Sequence, residues 1–576
     1  MSLKPGVFHL SELAGLTDLA PPIFFDGRLD NRSDLRLQLR DLLQADNSDS
    51  ALALAAFRKW GVQGFVHLIG DWSLVIWDAK EHALVLASDF AGVRPLYYSL
   101  QHDRLLWSTH LGALVDGMQT TEIDDVFVAG FLAAAGSPNR TPYRGIYSVP
   151  PGHALRVTEG GAAIEQFWKL PIGNTICYRR ESDYEEQLRS LFREAVRCRL
   201  HGAAPVLSEL SGGLDSSSIV CMARHLIECG ETTAPGLLTV SYEYPGSRDT
   251  RFWKTIEDHC RTTGVHVPTA DFPFLTETHT GGASPAFWEQ MHIRTSSIAR
   301  DAGANTYLTG RMGDLTMGNW GDDSGQVAGL LRRGRIGPAL HQSLAWAKLL
   351  GIPIYWVLGN AFLLNLPPAY AMRRYQKVER SAAPASAEDS IAPDFRKRVP
   401  QLSISNHWME APPERRKHFR ALAEMLELRK LQPPEQLQDL LYTHPYAHRP
   451  LVEFMFSIPA DIVCRPGEPR RLMRRALHNL WPPELRKRRS KGSFGGVFLD
   501  SLRPLARGLL EQRSLQVVER GYVSPSSLKK RLDLLTQSVD CNEGQLRQIV
   551  LLELWLRGRS ERTGNLAAIE FVAVHQ

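Results

Sequence analysis

Residues 207–223, LSELSGGLDSSSIVCMA, carry side chains whose types and spacing suit phosphate chemistry. An apolar run leads into Gly212 and Gly213, and hydroxyl residues then open an apolar-periodic stretch. A strand, a tight turn and a helix are expected. Glycines let a backbone approach an anion closely, and a helix N-terminus offers unpaired N–H donors at the positive end of its dipole. Ser216 and Ser217 can cap that helix or hydrogen-bond a phosphate. Asp215 would repel a bare phosphate but suits Mg²⁺ bound to one. No lysine follows the glycines, and the chain contains no Gly-Lys dipeptide, so the P-loop arrangement is excluded. A Gly-Gly turn with a capping serine also serves plain structure; the strand–SGGLDSS–helix unit is what points to phosphate.

The surrounding pattern supplies the scaffold. After PVLSEL and its helix come the strand GLLTVSYEY, the helix RFWKTIEDHCRTTG and the strand TYLTG. Strand and helix in turn imply a doubly wound parallel sheet, with the loop at the carboxyl ends of the strands where ligands bind. Ahead of it, Tyr184–Leu200 has helical periodicity. Residues 24–170 read mainly as sheet: WSLVIWDA and ALVLASDF form a hairpin around KEH, and PLYYSL and RLLWSTH form another around QHD. The polar stretch 172–183 marks the boundary between domains 1–171 and 172–576. Beyond about residue 330 the periodicity is helical almost throughout, and the Ala/Ser/Pro-rich stretch 376–400 reads as a mobile insertion.

Composition narrows the class. A 576-residue chain exceeds one hydrophobic core. A net charge of +5 permits a phosphate-bearing ligand without indicating a nucleic-acid binder. Seven scattered cysteines, with no CxxC pair, support neither a zinc site nor a disulfide framework. The opening residues show no export signal, and a cytoplasmic location is expected. Residues 349–372 lack any charge, yet Gly351, Pro353 and the Pro367-Pro368 pair interrupt them, so a buried helix pair is expected rather than a span. Trp346, Tyr355, Trp356 and Phe362 read as core, with a peptide groove or adhesion to a membrane surface left open.

SGGLDSS resembles the pyrophosphate loop of ATP pyrophosphatases, and the whole chain resembles the asparagine synthetase family. LTGRMGDLTMGN (308–319), HPYAHRPLVEFMFSIP (444–459) and PPELRKRRSKGSF (482–494) are similar to that family's segments. In the amino half, FFDGRLDNRSDL and GDWSLVIWDAKEHALVLASDFAGVRPLYYS resemble its glutaminase domain. The resemblance implies an α/β fold: an amino-terminal Ntn-glutaminase-like α+β sandwich, degenerate here, then an ATP-pyrophosphatase domain with added helices. It implies ATP and Mg²⁺ as cofactors. Leu210, Ser211, Gly212, Gly213, Leu214, Asp215, Ser216 and Ser217 would form the nucleotide loop. Val240, Ser241, Gly310 and Arg311 would complete the nucleotide site, Asp215 and Asp314 would hold metal, and Lys491 would be catalytic.

The chain also departs from that pattern. It opens Met1-Ser2-Leu3 where glutamine-using members open Met-Cys, and the family's substrate-arginine motif and first strands are expected to be missing. Arg311 replaces the tyrosine of β-lactam synthetases and, always charged, cannot serve as a base. The short amino domain, GRMGDLTMGN (310–319) and HRPLVEF (448–454) look most like lasso peptide cyclases. The implied reaction is adenylation of an Asp or Glu side chain in a precursor peptide, then closure of a macrolactam ring by the peptide's own amine. The implied partners are that peptide, a leader-peptide protease and a leader-binding protein. Alternatives are a small-molecule amide synthetase, a non-catalytic member acting as a binding partner, or a tRNA-modifying pyrophosphatase.

Overall fold

The computed structural model describes residues 6–9, 23–43, 46–101, 104–120, 122–134, 139–173, 175–247, 249–276, 282–318, 324–367, 390–399, 406–488, 495–537 and 543–573. The amino-terminal strands are β1 (Gly6–His9), β2 (Ile23–Leu29), β3 (Gly70–Asp78), β4 (Ala83–Ser88), β5 (Tyr97–Gln101), β6 (Arg104–Ser108), β7 (Tyr147–Ser148), β8 (His153–Thr158) and β9 (Gly161–Gln166). They form two antiparallel sheets, ordered β2-β3-β4-β8-β9 and β1-β6-β5-β7. Val75, Trp77, Leu84 and Leu86 of the first sheet meet Tyr98, Leu105 and Trp107 of the second in one apolar layer. Helices Arg32–Leu39 and Asp49–Trp60 place Leu35 and Leu52 against the other face, with Leu74 and Ile76. The α+β sandwich is therefore present, and both expected hairpins are formed. One expectation fails: a strand does precede FFDGR, because Gly6–His9 pairs antiparallel with Arg104–Trp107.

The carboxyl-terminal domain is built on β10 (Val206–Glu209), β11 (Leu237–Glu243), β12 (Thr263–Pro268), β13 (Thr306–Leu308) and β14 (Leu441–Thr443). All pair in parallel, in the order β12-β11-β10-β13-β14. The chain steps outward from β10 in one direction and then the other, so a crevice opens between β10 and β13 at the strands' carboxyl ends. Helix Leu214–Glu228 follows β10 and buries Ile219, Val220, Met222, Ala223 and Leu226. β14 is an exception to the almost wholly helical reading beyond residue 330. At three residues it is too short for alternation to register, and its burial comes from Tyr307 beside it.

Two other expectations change. Residues 376–389 lie outside the described residues, but 393–398 form a helix that buries Phe395 against Tyr522, so this end of the expected insertion is packed. The apolar stretch near 349–367 is a helix pair, Ile336–Leu350 and Ile354–Leu364, broken at Gly351 (φ +65°) and Pro353. Only its inner face is buried. Trp346 is core, whereas Tyr355, Trp356 and Phe362 are exposed. A helix pair presents two faces, and the neighbouring helix Gly325–Arg332 covers one.

The domains share an interface of buried charge. Arg94 donates to Asp26 at 2.9 and 3.0 Å and to the Leu440 carbonyl at 3.2 Å. Asp71 accepts from Arg28 at 2.8 Å, Arg199 at 3.3 Å and the Thr443 hydroxyl. Burial opposes the charge on Asp71, but Arg199 and Arg28 outweigh it and hold the carboxyl below its ordinary range. Trp168 Nε1 adds a 2.9 Å bond to Glu453.

Candidate active site

The turn after β10 is held from several sides. Ser241 Oγ donates to the Leu210 carbonyl at 2.7 Å, while the Leu210 N–H donates to Val240 at 2.8 Å. Gly212 has φ +73°, and a Cβ there would lie 2.9 Å from the Asp249 carbonyl, so only glycine fits. Arg488 donates to the Gly212 carbonyl and to Asp249, with its guanidinium 4.2 Å from the Phe252 ring centroid. Gly213 is the N-cap of Leu214–Glu228, and the Ser216 hydroxyl closes the turn by accepting from the Ser211 N–H at 3.1 Å. Ser217 is fully buried, its Oγ without a hydrogen-bond partner among the described residues.

The second loop follows β13. Thr309 Oγ1 lies 2.6 Å from His444 Nδ1, and His444 Nε2 lies 2.8 Å from the Leu431 carbonyl. A carbonyl only accepts, so Nε2 carries the proton and Nδ1 accepts from Thr309. Burial pushes the His444 pKa down to about 3, which keeps the ring neutral. Beyond this anchor, Gly310 packs on the Ser216 backbone, and a Cβ at Gly313 would lie 2.5 Å from the Asp215 carboxyl carbon. Small residues thus let the two loops touch and bring Asp314 beside Asp215.

Both carboxylates meet Arg470. Its Nη2 donates to Asp215 Oδ2 at 2.8 Å, its Nη1 to Asp215 Oδ1, and Nη2 also reaches Asp314 Oδ1. Tyr446 fixes the Asp215 backbone through a 2.9 Å bond to its carbonyl. One cation therefore already bridges both aspartates. Two converging carboxylates form an oxygen donor set suited to Mg²⁺, so the residues present fit that ion.

These loops form one side of a cavity of about 570 Å³. Ser211, Gly213, Asp215, Ser216, Gly310 and Asp314 line the loop side, with Arg470, Arg474 and Arg488 around them. The rest of its lining joins the apolar and aromatic side chains of Tyr242, Trp288, Met291, Tyr307, Tyr442 and Phe498 with the polar ones of Glu209, His292 and Arg311. The volume is ordinary for a small-ligand site. Three non-glycine residues of its wall, Trp288, Met312 and Arg470, have φ of +63°, +68° and +54°. Such strain gathers where a site is positioned at a cost. His292 also lines the cavity; burial, aided by Arg311, pushes its pKa down to about 3.

Most of the residues singled out in the sequence meet here. Arg311 donates to the Lys430 carbonyl at 2.7 Å, with its guanidinium 5.8 Å from the Tyr442 ring centroid. Val240 and Ser241 do not line the cavity: Val240 is core and the Ser241 hydroxyl is engaged by Leu210, so Tyr242 is the wall residue from β11. Lys491 lies outside the described residues. Sequence reading missed Arg470 and the aromatic wall. Its only signal was the arginine-rich run EPRRLMRR (468–475), which resembles any solvated basic face.

The sequence model described as asparagine synthase matches residues 187–557, and that of the glutamine amidotransferase domain matches residues 16–168. The chain is 30% identical over 237 residues to asparagine synthetase (glutamine-hydrolyzing) 3 of Bacillus subtilis, covering 38% of this chain and 36% of that protein. It is 31% identical over 212 residues to amidase chry2 of Gibberella zeae, covering 36% and 31%, and 30% identical over 216 residues to amidase chyE of Penicillium rubens, with the same coverage. These alignments span about a third of each relative's own length.

Proposed function

Because the chain belongs to the asparagine synthase family, we propose that it is an AMP-forming, ATP-dependent amide ligase acting as a lasso peptide cyclase. A carboxylate is a poor acyl donor because its leaving group would be oxide. In this reading, a side-chain carboxylate oxygen of the peptide attacks the α-phosphorus of ATP. The bond from that phosphorus to the bridging oxygen breaks, and pyrophosphate leaves. The peptide's amine then attacks the acyl carbon, AMP departs with the carboxylate oxygen, and one proton is released. Magnesium, held by Asp215 and Asp314, would neutralise the departing pyrophosphate. Gly213 and Ser216, at the N-terminus of helix Leu214–Glu228, would offer backbone N–H groups to the same phosphates. Arg470 and Arg474 add permanent positive charge nearby. Lys491 is assigned to charge on the acyl intermediate and the departing AMP.

One observation carries the choice of substrate: the cavity at the phosphate loops is lined, beside its charged groups, by a set of large aromatic and apolar side chains. Tyr242, Trp288, Met291, Tyr307, Tyr442 and Phe498 suit the side chains of a peptide better than free aspartate. The source of the amine follows from the amino-terminal domain. Residues 16–168 contain no cysteine, so this region offers no thiol to take an acyl group from glutamine. Asp26 and Arg28, in the segment resembling the glutaminase domain, are committed to Arg94 and Asp71. The domain braces the synthetase domain instead.

The test is to supply the purified chain with Mg·ATP and, separately, its linear core peptide, or aspartate with ammonia. A peptide product lighter by one water, formed with AMP, supports a cyclase. Amide formation from aspartate and ammonia, without peptide, would favour the small-molecule alternative.

A further inference from the structure

Helices Gly325–Arg332, Ile336–Leu350 and Ile354–Leu364 form a subunit of the fold with its own small core, in which Val327, Leu330, Ala339, Trp346 and Val357 pack together. The outer face of the pair is unlike the rest of the surface. Among the described residues, eight of the fourteen exposed large apolar side chains fall between 336 and 362. Leu340 and Leu344, one turn apart, are 45% and 59% exposed. Leu349 and Leu350 end the first helix at the hairpin's tip, where Tyr355 and Trp356 follow at 68% and 53%. A concentration of exposed large apolar side chains of this kind points to a surface that something covers.

Charge identifies the occupant. Between Asp323 and Glu379 the chain contains no acidic residue but carries Arg332, Arg333, Arg335, Lys348, Arg373, Arg374 and Lys377. Arg333 is paired with Glu414 at 2.7 Å. Arg332, Arg335 and Lys348 are exposed beside the apolar face. Tyrosine and tryptophan at an apolar tip, with Lys348 in the turn before it and Arg332 and Arg335 at the far end of the first helix, suit the boundary between lipid headgroups and acyl chains when the pair lies along it. No described helix is long and apolar enough to cross a membrane. At 15 and 11 residues the two helices reach roughly 22 and 16 Å, short of the ~30 Å hydrocarbon core. They can lie in the surface but cannot traverse it.

We propose that this hairpin seats the protein on an anionic phospholipid bilayer. Leu349, Leu350, Tyr355 and Trp356 enter the interfacial layer, and Arg332, Arg335 and Lys348 meet lipid phosphates. The full chain should sediment with vesicles of phosphatidylcholine and phosphatidylglycerol, and bind phosphatidylcholine alone much more weakly. Tyr355→Ser with Trp356→Ser should lower affinity about tenfold or more, because both side chains are exposed and removing them costs the fold little. Arg335→Glu with Lys348→Glu should lower affinity for anionic vesicles only. Equal binding by the aromatic variant would overturn the proposal, as would absence of vesicle binding by the native chain. Two other occupants would count against it: a second copy, shown by self-association that Trp356→Ser abolishes without vesicle binding, and residues 368–389, shown by vesicle binding only after their deletion.

Discussion

Arg470 grips Asp215 at two points, with Nη2 donating to Oδ2 at 2.8 Å and Nη1 to Oδ1. The same guanidinium reaches Asp314, so a permanent positive charge occupies the place where the two proposed metal ligands converge. Burial alone would disfavour that charge, but Asp215 and Asp314 reverse the effect and raise the Arg470 pKa. Under the proposed metal assignment, metal and arginine would compete for the same carboxylate oxygens, and a nucleotide's phosphates would give the displaced guanidinium a new anionic partner.

Arg470→Ala should therefore separate metal binding from turnover. Without nucleotide, the aspartates lose this competing guanidinium, and affinity for Mn²⁺, measured by titration calorimetry, should rise. Folding stability should fall by about 3–5 kcal/mol, the usual cost of breaking a buried ion pair. Unchanged Mn²⁺ affinity would show that the arginine does not occupy the cation site.

The interdomain charge network predicts a stability effect far from the phosphates. Asp71→Asn leaves Arg28 and Arg199 with one carboxylate fewer, so that both buried guanidiniums must share Asp30, since Asp71 accepts from both at 2.8 and 3.3 Å. A loss of about 3–5 kcal/mol in chemical denaturation is expected. A change below about 1 kcal/mol, as for exposed pairs, would mean that the brace contributes little.

Acidification should act through His444. Its pKa is about 3 in the fold, below its ordinary value of 6.5, so the unfolded chain binds the proton first. This contribution to stability is whole above pH 6.5 and is lost as the pH falls toward 3, at up to about 1.4 kcal/mol per pH unit. Protonation would also cost the bond from Thr309, which anchors the loop to Asp314. A pH series of unfolding midpoints on the native protein and His444→Gln should diverge in this window. Identical slopes would remove His444 as a source.

Lys491→Ala should leave nucleotide binding intact and lower amide formation by about a hundredfold or more, as for other charge-stabilising groups. Retained product yield would exclude the lysine from the chemistry.

Much of this arrangement was legible in the chain. The β10 turn could be read because a tight glycine turn, an acidic residue and a helix start are local signals. The parallel sheet followed from alternation, although three-residue β14 escaped it. The hairpin's exposed aromatics were misread because composition records apolarity and not which face a neighbour covers. Arg470 and Arg488 were hidden for the opposite reason. In sequence they belong to basic runs, while in the fold Asp215 and Asp249 draw them inside. The aromatic wall joins residues from 242 to 498, a proximity that no local pattern encodes.

The central claim is that an acid attacks the α-phosphorus of ATP. Labelling the peptide's acceptor carboxylate with heavy oxygen and analysing the nucleotide products by mass spectrometry tests it directly. The account predicts one labelled oxygen in AMP for each amide formed. Label in inorganic phosphate with release of ADP, or unlabelled AMP, would contradict it.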